Sequence, residues 1–258
     1  MLFAAKTIEV GHHPTATILG LTLDLDIVFS TVVAAAIFLF LGFKMSRKAT
    51  DGVPGKLQLM WEIIVVDLVG DLAESAVGPK GKRFVPLGVT LFVFILISNW
   101  LGFIPSAMHP GSSFEILPPP TSDVNLPLAM ALLVIFWVHI ESFRARGIRG
   151  YFGHYGQPFK ALIPINVIEE ITKPITMTFR LFGNMFSGGL MIAVMTTLLP
   201  IYAVPFGEIV WKPFDLGIGV IQAFIFMLLA ILYFGMAMSH EEHDDETLDH
   251  QPVLATSH

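Results

Sequence analysis

The sequence contains no cysteine, and only 14% of its 258 residues are charged. The first absence removes disulfides, haem-thiolate ligation and cysteine-based metal sites. The second removes an ordinary soluble surface, since soluble chains carry about 25% charge. Lys and Arg number 15 against 21 Asp and Glu, and the net charge of -6 rests largely on a crowded acidic tail. That balance gives no support for a nucleic-acid partner. A soluble enzyme is excluded on hydropathy; no P-loop, dinucleotide fingerprint or HExxH pattern is present, and no cofactor is expected. His12 and His13, and the three His residues among the tail acids, are weak as metal sites, and no metal is expected. The opening MLFAAKTIEVGHHP has one Lys and no sustained apolar run before Thr15, so it does not read as a cleaved signal peptide.

What is present is apolar. Hydrophobic residues make up 54% of the chain, and the mean hydropathy is +0.70. Several windows reach the ~20 residues needed to cross about 30 Å of hydrocarbon. The pattern predicts an all-α polytopic membrane protein with five transmembrane helices, one amphipathic interfacial helix and a long, tilted C-terminal helical hairpin. Residues 1–22 read as an external polar arm and 23–43 as the first span, which ends at Lys44, Arg47 and Lys48. Residues 54–78 are apolar but carry Asp67, Asp71 and Glu74 at i, i+4, i+7, with Leu57, Met60, Ile64 and Leu68 available as the opposite face. Basic residues flank this stretch on both sides, which favours a helix lying on the cytoplasmic surface. A transmembrane placement is the alternative.

Residues 84–240 form the main membrane domain. A second span covers about 84–103 and a third about 124–140, with Ser122 or Asp123 as its cap. His139 and Glu141 fall at the inner membrane interface, and the Pro-rich segment between these two spans is an external loop. One long element runs from about 159 to 199, with Pro164, Pro174 and Pro200 as kink or break points. The segment 202–215 reads as an external hairpin. The final helix starts near Phe214 or earlier and ends at Met238. Residues 241–258 are an acidic cytoplasmic tail. Basic loops at 44–56, 80–83 and 144–149 place the N-terminus outside and the C-terminus inside.

The polar residues within the apolar stretches matter most. Ile171 to Met195 reads ITKPITMTFRLFGNMFSGGLMIAVM, and no Arg follows Arg180. An Arg in hydrocarbon costs several kcal/mol at least, so it ordinarily faces protein or water and has a function. Snorkelling near a helix end is the plain alternative. Asn184 lies at i+4 from Arg180, with Gly183, Ser187 and Gly188 as small neighbours suited to close helix packing. Glu169, Glu170 and Lys173 lie toward the inner end, where Glu170 and Lys173 form a local ion pair on the simplest reading. On the last helix Asp215, Gly219 and Gln222 share a face by i, i+4, i+7 spacing. Asp215 serves either as a cap or in a path. An amide as deep as Gln222 needs a partner. An antiparallel hairpin brings Gln222 toward the depth of Arg180. Two offset half-paths then arise, one from outside past Asp215 and Gln222, one from inside through Glu169 and Glu170. Arg180 stands between them as a cation that stays charged. No carboxylate of this chain suits the mid-depth carrier, so a partner must supply it.

FRLFGNMFSG at 179–188, SNWLGFIP at 98–105, SDVNLPLAMAL at 122–132, KPI at 173–175 and QAFIFMLLAILYF at 222–234 carry a family resemblance. Through them the chain closely resembles subunit a of the bacterial F-type ATP synthase membrane sector. The resemblance implies a stator in the cell inner membrane. It clasps a rotor ring of small hairpin subunits and joins the peripheral stalk subunit b and the rest of the complex. It is not catalytic alone. The family's gating Arg falls on Arg180, and its half-channel positions on Asn184, Asp215 and Gln222. Glu169 and Glu170 match exit-path acids in position only. Where some members carry a larger polar residue, this chain has Gly189, leaving Asp215 to act alone. A proton-coupled secondary transporter would instead show internal repeats and a small-solute site, and a passive anchor would leave Arg180 and Gln222 without a purpose.

Overall fold

The computed structural model describes residues 15–18, 21–50, 52–102, 118–154, 163–200 and 202–238. The tail and His12 and His13 lie outside them. Among the described residues are five helical stretches long and apolar enough to cross a membrane: Leu25–Lys48, Lys56–Leu101, Asn125–Ala145, Ile163–Leu198 and Val204–Met238. The predicted count of five and the all-α membrane region therefore hold. The arm adds a short antiparallel pair, β1 (Thr15–Ile18) and β2 (Leu21–Asp24), where the sequence predicts only a polar segment.

Helix α1 (Leu25–Lys48) runs beyond the predicted end at residue 43. Its last turns carry the basic residues. Arg47 lies over the Phe43 ring at 4.1 Å, and Arg47 and Lys48 suit the negative end of the helix dipole. The next stretch is composite. Helix α2 (Lys56–Glu62) passes through a π-wound segment, Ile63–Gly70, into α3 (Asp71–Val77). Gly78 then takes φ 73°, which a side chain would disfavour, and the chain turns through a 3-10 segment to α4 (Val85–Leu101).

The predicted apolar face of residues 54–78 holds in part, since Ile64 and Leu68 pack against the core and Leu57 is half-buried. Met60 is exposed, while Val69 and Ala73 are fully buried, with Trp61, Val65, Leu72 and Ala76 packed against the same core. The i→i+5 winding takes more residues per turn, so Trp61, Val65, Val69 and Ala73, four apart, join Ile64 and Leu68 on the packed side. Asp67, Asp71 and Glu74 do remain exposed. The second half of this stretch meets the bundle most closely. Val69 approaches Gly88, and the Ala76 carbonyl lies so close to Gly235 that a Cβ there would collide. The first half meets α1, where Gln58 Nε2 donates to the Thr50 carbonyl at 2.9 Å.

The remaining helices are α5 (Asn125–His154, broken at Gly147), α6 (Ile163–Leu198) and α7 (Val204–Met238). Helices α4, α5 and α7 form the core, with α6 laid against α5 and α7 and α1 against α4. Two expectations change. The segment 202–215 is mostly helical, because Pro205 falls in the first turn of α7, where its missing N–H costs nothing. The turn between the long helices is therefore only residues 199–203. The Pro-rich segment also ends indoors, since Pro120 and Thr121 are buried in a short 3-10 turn against α1, α4 and α6. Asp123 makes the turn into α5 by accepting the Asn125 N–H at 3.0 Å, whereas Ser122 donates to the Pro119 carbonyl. Pro174 sits within α6, Pro164 in its first turn and Pro200 after its end.

Glu141, expected near the inner end of its span, is buried within the bundle. Its carboxylate accepts from Arg83 at 2.9 Å, Arg144 at 3.1 Å and Trp137 Nε1 at 3.3 Å. Arg83 also reaches the Met238 sulfur, and Phe84 stacks on Phe234 at 4.2 Å. One carboxylate thus ties together the ends of α4, α5 and α7. His139 is occupied differently, with Nδ1 3.1 Å from the Tyr151 hydroxyl. Replacing Glu141 by Gln keeps the volume but removes the charge from these bonds. The expected loss is about 1–3 kcal/mol, moderated because both arginines reach solvent. It would be read as a lower thermal unfolding midpoint of the purified protein in detergent, with an unchanged midpoint as the contrary result.

Candidate functional site

Helix α6 has 36 residues and α7 has 35, about 54 and 53 Å at 1.5 Å per residue. Both exceed a perpendicular crossing, so an antiparallel pair of this length must lie tilted in a bilayer. Three contacts set the register. Gly188 faces the Asp215 carboxylate, Gly207 faces the Met195 sulfur, and Lys173 lies over the Tyr233 ring. Partner numbers along the hairpin therefore total between 402 and 406. By that register Arg180 falls opposite residues 222–226, and Gln222 opposite residues 180–184. Gln222 thus falls within the turn of α6, about 6 Å long, that runs from Arg180 to Asn184.

Arg180 is on the open face of α6 and has no ion-pair partner among the described residues. Its α6 window is only 17% buried, against 56% for the best-covered span. Around it Ile171, Ile175, Thr176, Phe179 and Ser187 are also exposed. A Cβ added at Gly183 or Gly189 would meet nothing within 4 Å, so these small residues leave space, while Gly188 alone receives a neighbour. That neighbour is Asp215, whose oxygens would lie 3.0 and 3.1 Å from a Cβ at position 188. The opposite face of α6 is covered, with Met177, Thr178, Leu181 and Met185 buried.

The amides differ in their pairing. Asn184 Nδ2 is buried without a partner among the described residues, and Gln222 is half-buried with no hydrogen bond assigned to it there. Both are available to water or to a partner chain. Gly219 serves another purpose than the predicted shared face suggests. Its carbonyl accepts from Asn99 Nδ2 at 3.0 Å, and Asn99 Oδ1 accepts from the Thr121 hydroxyl at 2.8 Å. This buried knot holds α7 against α4 between the levels of Asp215 and Gln222. Thr121 carries no recognisable signal in sequence, though Asn99 in an apolar run does, since such an amide must find a partner.

At the other end Lys173 Nζ lies 2.9 Å from Glu170 and 4.0 Å from Glu169. The local ion pair expected for Glu170 and Lys173 is present. Tyr233 lies in the combined field of Arg180, Glu170 and Glu169. No group of three or more His, Asp or Glu residues suited to a metal occurs among the described residues.

The same chain matches known proteins along nearly its whole length. The ATP synthase A chain family matches over residues 27–235. ATP synthase subunit a of Acidothermus cellulolyticus is 46% identical over 248 residues, covering 95% of this chain and 89% of that protein. The subunit a of Mycobacterium marinum is 47% identical over 247 residues, covering 92% and 96%. That of Desulforamulus reducens is 34% identical over 228 residues, covering 87% and 83%.

The chain belongs to the ATP synthase A chain family. Membership places it among the multi-pass membrane-sector subunits of F-type ATP synthases, which serve proton transport and ATP synthesis. Within the matched region, α6, which carries Arg180, is the least enclosed of the five spans.

The absence of native cysteine makes the register directly testable. Cysteines introduced together at Gly188 and Asp215 are expected to form a disulfide on mild oxidation, since a disulfide needs Cβ atoms about 3.5–4.5 Å apart. A pair at Gly188 and Gln222 should not. Mobility shift after proteolysis between the helices reads both, and crosslinking of only the second pair would refute this register.

Proposed function

We propose that this chain is the proton-conducting stator of a rotary ATP synthase, with Arg180 separating two offset half-paths that load and unload the carboxylates of a rotor ring. The observation that carries this reading is an Arg within an apolar span that has no ion-pair partner among the described residues and lies on the open face of the least covered helix. Bare contact with hydrocarbon would be costly for it. A passing carboxylate on a partner removes that cost for part of each cycle.

In this reading Asp215, Asn184 and Gln222 line the outer half-path. Asp215 gains access beside Gly188, and the two unpaired amides offer donors and acceptors to water near the depth of Arg180. Glu169 and Glu170 belong to the inner half-path. A proton from the outer path neutralises a ring carboxylate, which then travels through lipid without its charge. At the inner path the proton leaves, and the restored carboxylate moves past Arg180. The guanidinium attracts that anion and repels a proton attempting the direct route. Guanidinium suits the task because it does not deprotonate, whereas a buried lysine does. The peripheral stalk subunit b holds the stator against rotation, and the apolar outer faces meet the bilayer. The N-terminus lies outside, residues 54–78 rest on the cytoplasmic surface of a bacterial inner membrane, and the C-terminus lies inside.

Arg180→Ala in assembled complexes is expected to abolish ATP-driven proton pumping and leave an uncoupled leak. Arg180→Lys should be severely impaired despite its charge. Proton flux in vesicles, normalised to stator and ring content, makes the measurement. Coupled flux at the wild-type level in Arg180→Ala vesicles would refute the gate, and a passive anchor would give that result.

Orientation has its own test. A cysteine replacing Lys82 should react with an impermeant thiol reagent only from the cytoplasmic side, in inverted vesicles. Labelling in intact cells would overturn the assignment.

A further inference from the structure

The two acids at the inner end of α6 are not equivalent. Glu169 lines an open groove of about 460 Å³ together with Thr172, Lys173, Thr176, Tyr233 and Met236, whereas Glu170 is not part of its lining. The side chain of Glu169 is 66% exposed, that of Glu170 27% and that of Lys173 only 18%. Lys173 therefore chooses between two carboxylates, and its 2.9 Å contact is with Glu170, against 4.0 Å to Glu169. The Tyr233 ring lies 5.5 Å from the ammonium and limits where it can move.

Along α6 the lining of the groove ends at Thr176, one turn before Arg180. Glu169, Lys173, Thr176 and Arg180 fall on one helical stripe by their i+4, i+7 and i+11 spacing. The hydroxyl of Thr172 donates to the Ile168 carbonyl at 2.7 Å, and that of Thr176 to the Thr172 carbonyl at 2.9 Å. Each hydroxyl has its proton committed to backbone and keeps lone pairs to accept from water. The stripe thus offers acceptors in series, ending at a carboxylate that reaches solvent.

We infer that Lys173 is a positioning residue of the inner half-path, which pins Glu170 in a fixed ion pair and leaves Glu169 as the carboxylate that exchanges protons with the cytoplasm. The inference rests on the stator reading above. In each cycle Glu169 accepts one proton, delivered through water from the ring carboxylate, and passes one proton to cytoplasmic water. The protein's proton count is unchanged, and Lys173 transfers nothing. The groups facing Glu169 are Lys173 and Glu170 on its own helix and Tyr233 from α7, with Arg180 further along the stripe.

The arrangement predicts a specific pattern of coupling. Lys173→Gln leaves Glu170 unpaired beside the path, where it competes for protons. Glu170→Gln frees Lys173 to move onto Glu169 and immobilise it. Each single variant should slow proton flux by about tenfold, while the double variant should recover most of it, because the interfering charge is gone in both respects. Lys173→Arg should retain most flux, and Glu169→Gln should be slow alone and in every combination. The measurement is ATP-driven pumping and passive flux in vesicles of assembled complex, normalised to subunit content, with Arg180→Ala alongside. A double variant no faster than the slower single, or wild-type flux in Glu169→Gln, overturns the inference. If Arg180→Ala abolishes coupling while the double variant fails to recover, this inference alone fails. If Arg180→Ala keeps coupled flux, the stator reading fails first.

Discussion

A guanidinium in a membrane must be solvated by something, and this fold declines to do it internally. Arg180 has no ion-pair partner among the described residues and stands on the least covered of the five apolar helices. The opposite face of the same helix is packed by Met177, Leu181 and Met185. The helix is therefore anchored on one side and unfinished on the other. An Arg used for stability would be expected in the reverse arrangement, paired within the chain and turned inward. The open side makes sense where the missing charge arrives on another molecule and leaves again, which a permanent internal carboxylate would prevent.

The rest of the fold keeps that unfinished face in place. Two buried polar clusters bridge helices and pin α7 at two levels. Near the Asp215 end the Asn99, Thr121 and Gly219 knot fixes its depth against α4. At the far end Glu141 holds Arg83 and Arg144, and Arg83 reaches Met238. Helix–helix association in lipid gains little from apolar contact alone, so close packing and interhelical hydrogen bonds carry the specificity. With α7 fixed at both ends, the register of α6 against it follows from Gly188 receiving Asp215 and Lys173 covering Tyr233.

The composite helix 56–77 illustrates how local pattern and packing can disagree. Regular periodicity assigns Leu57, Met60, Ile64 and Leu68 to the buried side, and Ile64 and Leu68 do pack there, but the π-wound segment widens the stripe to Trp61, Val65, Val69 and Ala73 and leaves Met60 exposed. The acids Asp67, Asp71 and Glu74 stay exposed in either winding. Charge is thus the steadier guide here, because an ion's hydration resists a change of winding that an aliphatic side chain tolerates.

Sequence alone determined the class, the five apolar stretches and the polar residues worth following, since hydropathy and helical spacing are local properties that survive any packing. Arg180, Asn184, Asp215, Gln222, Glu169 and Glu170 are all legible that way, as is the similar depth of Arg180 and Gln222 once an antiparallel hairpin is assumed. Only the tertiary structure decided that Arg180 faces outward, that Gly188 and not Gly189 receives Asp215, and that Gly219 belongs to Asn99 rather than to a path. It also decided that Glu141 is buried between two arginines, that Thr121 is buried at all, and that Glu169 reaches the groove while Glu170 does not. The reason is physical. Spacing along a helix sets which residues share a face, but the direction of that face depends on neighbours distant in sequence, through contacts that carry no local signature.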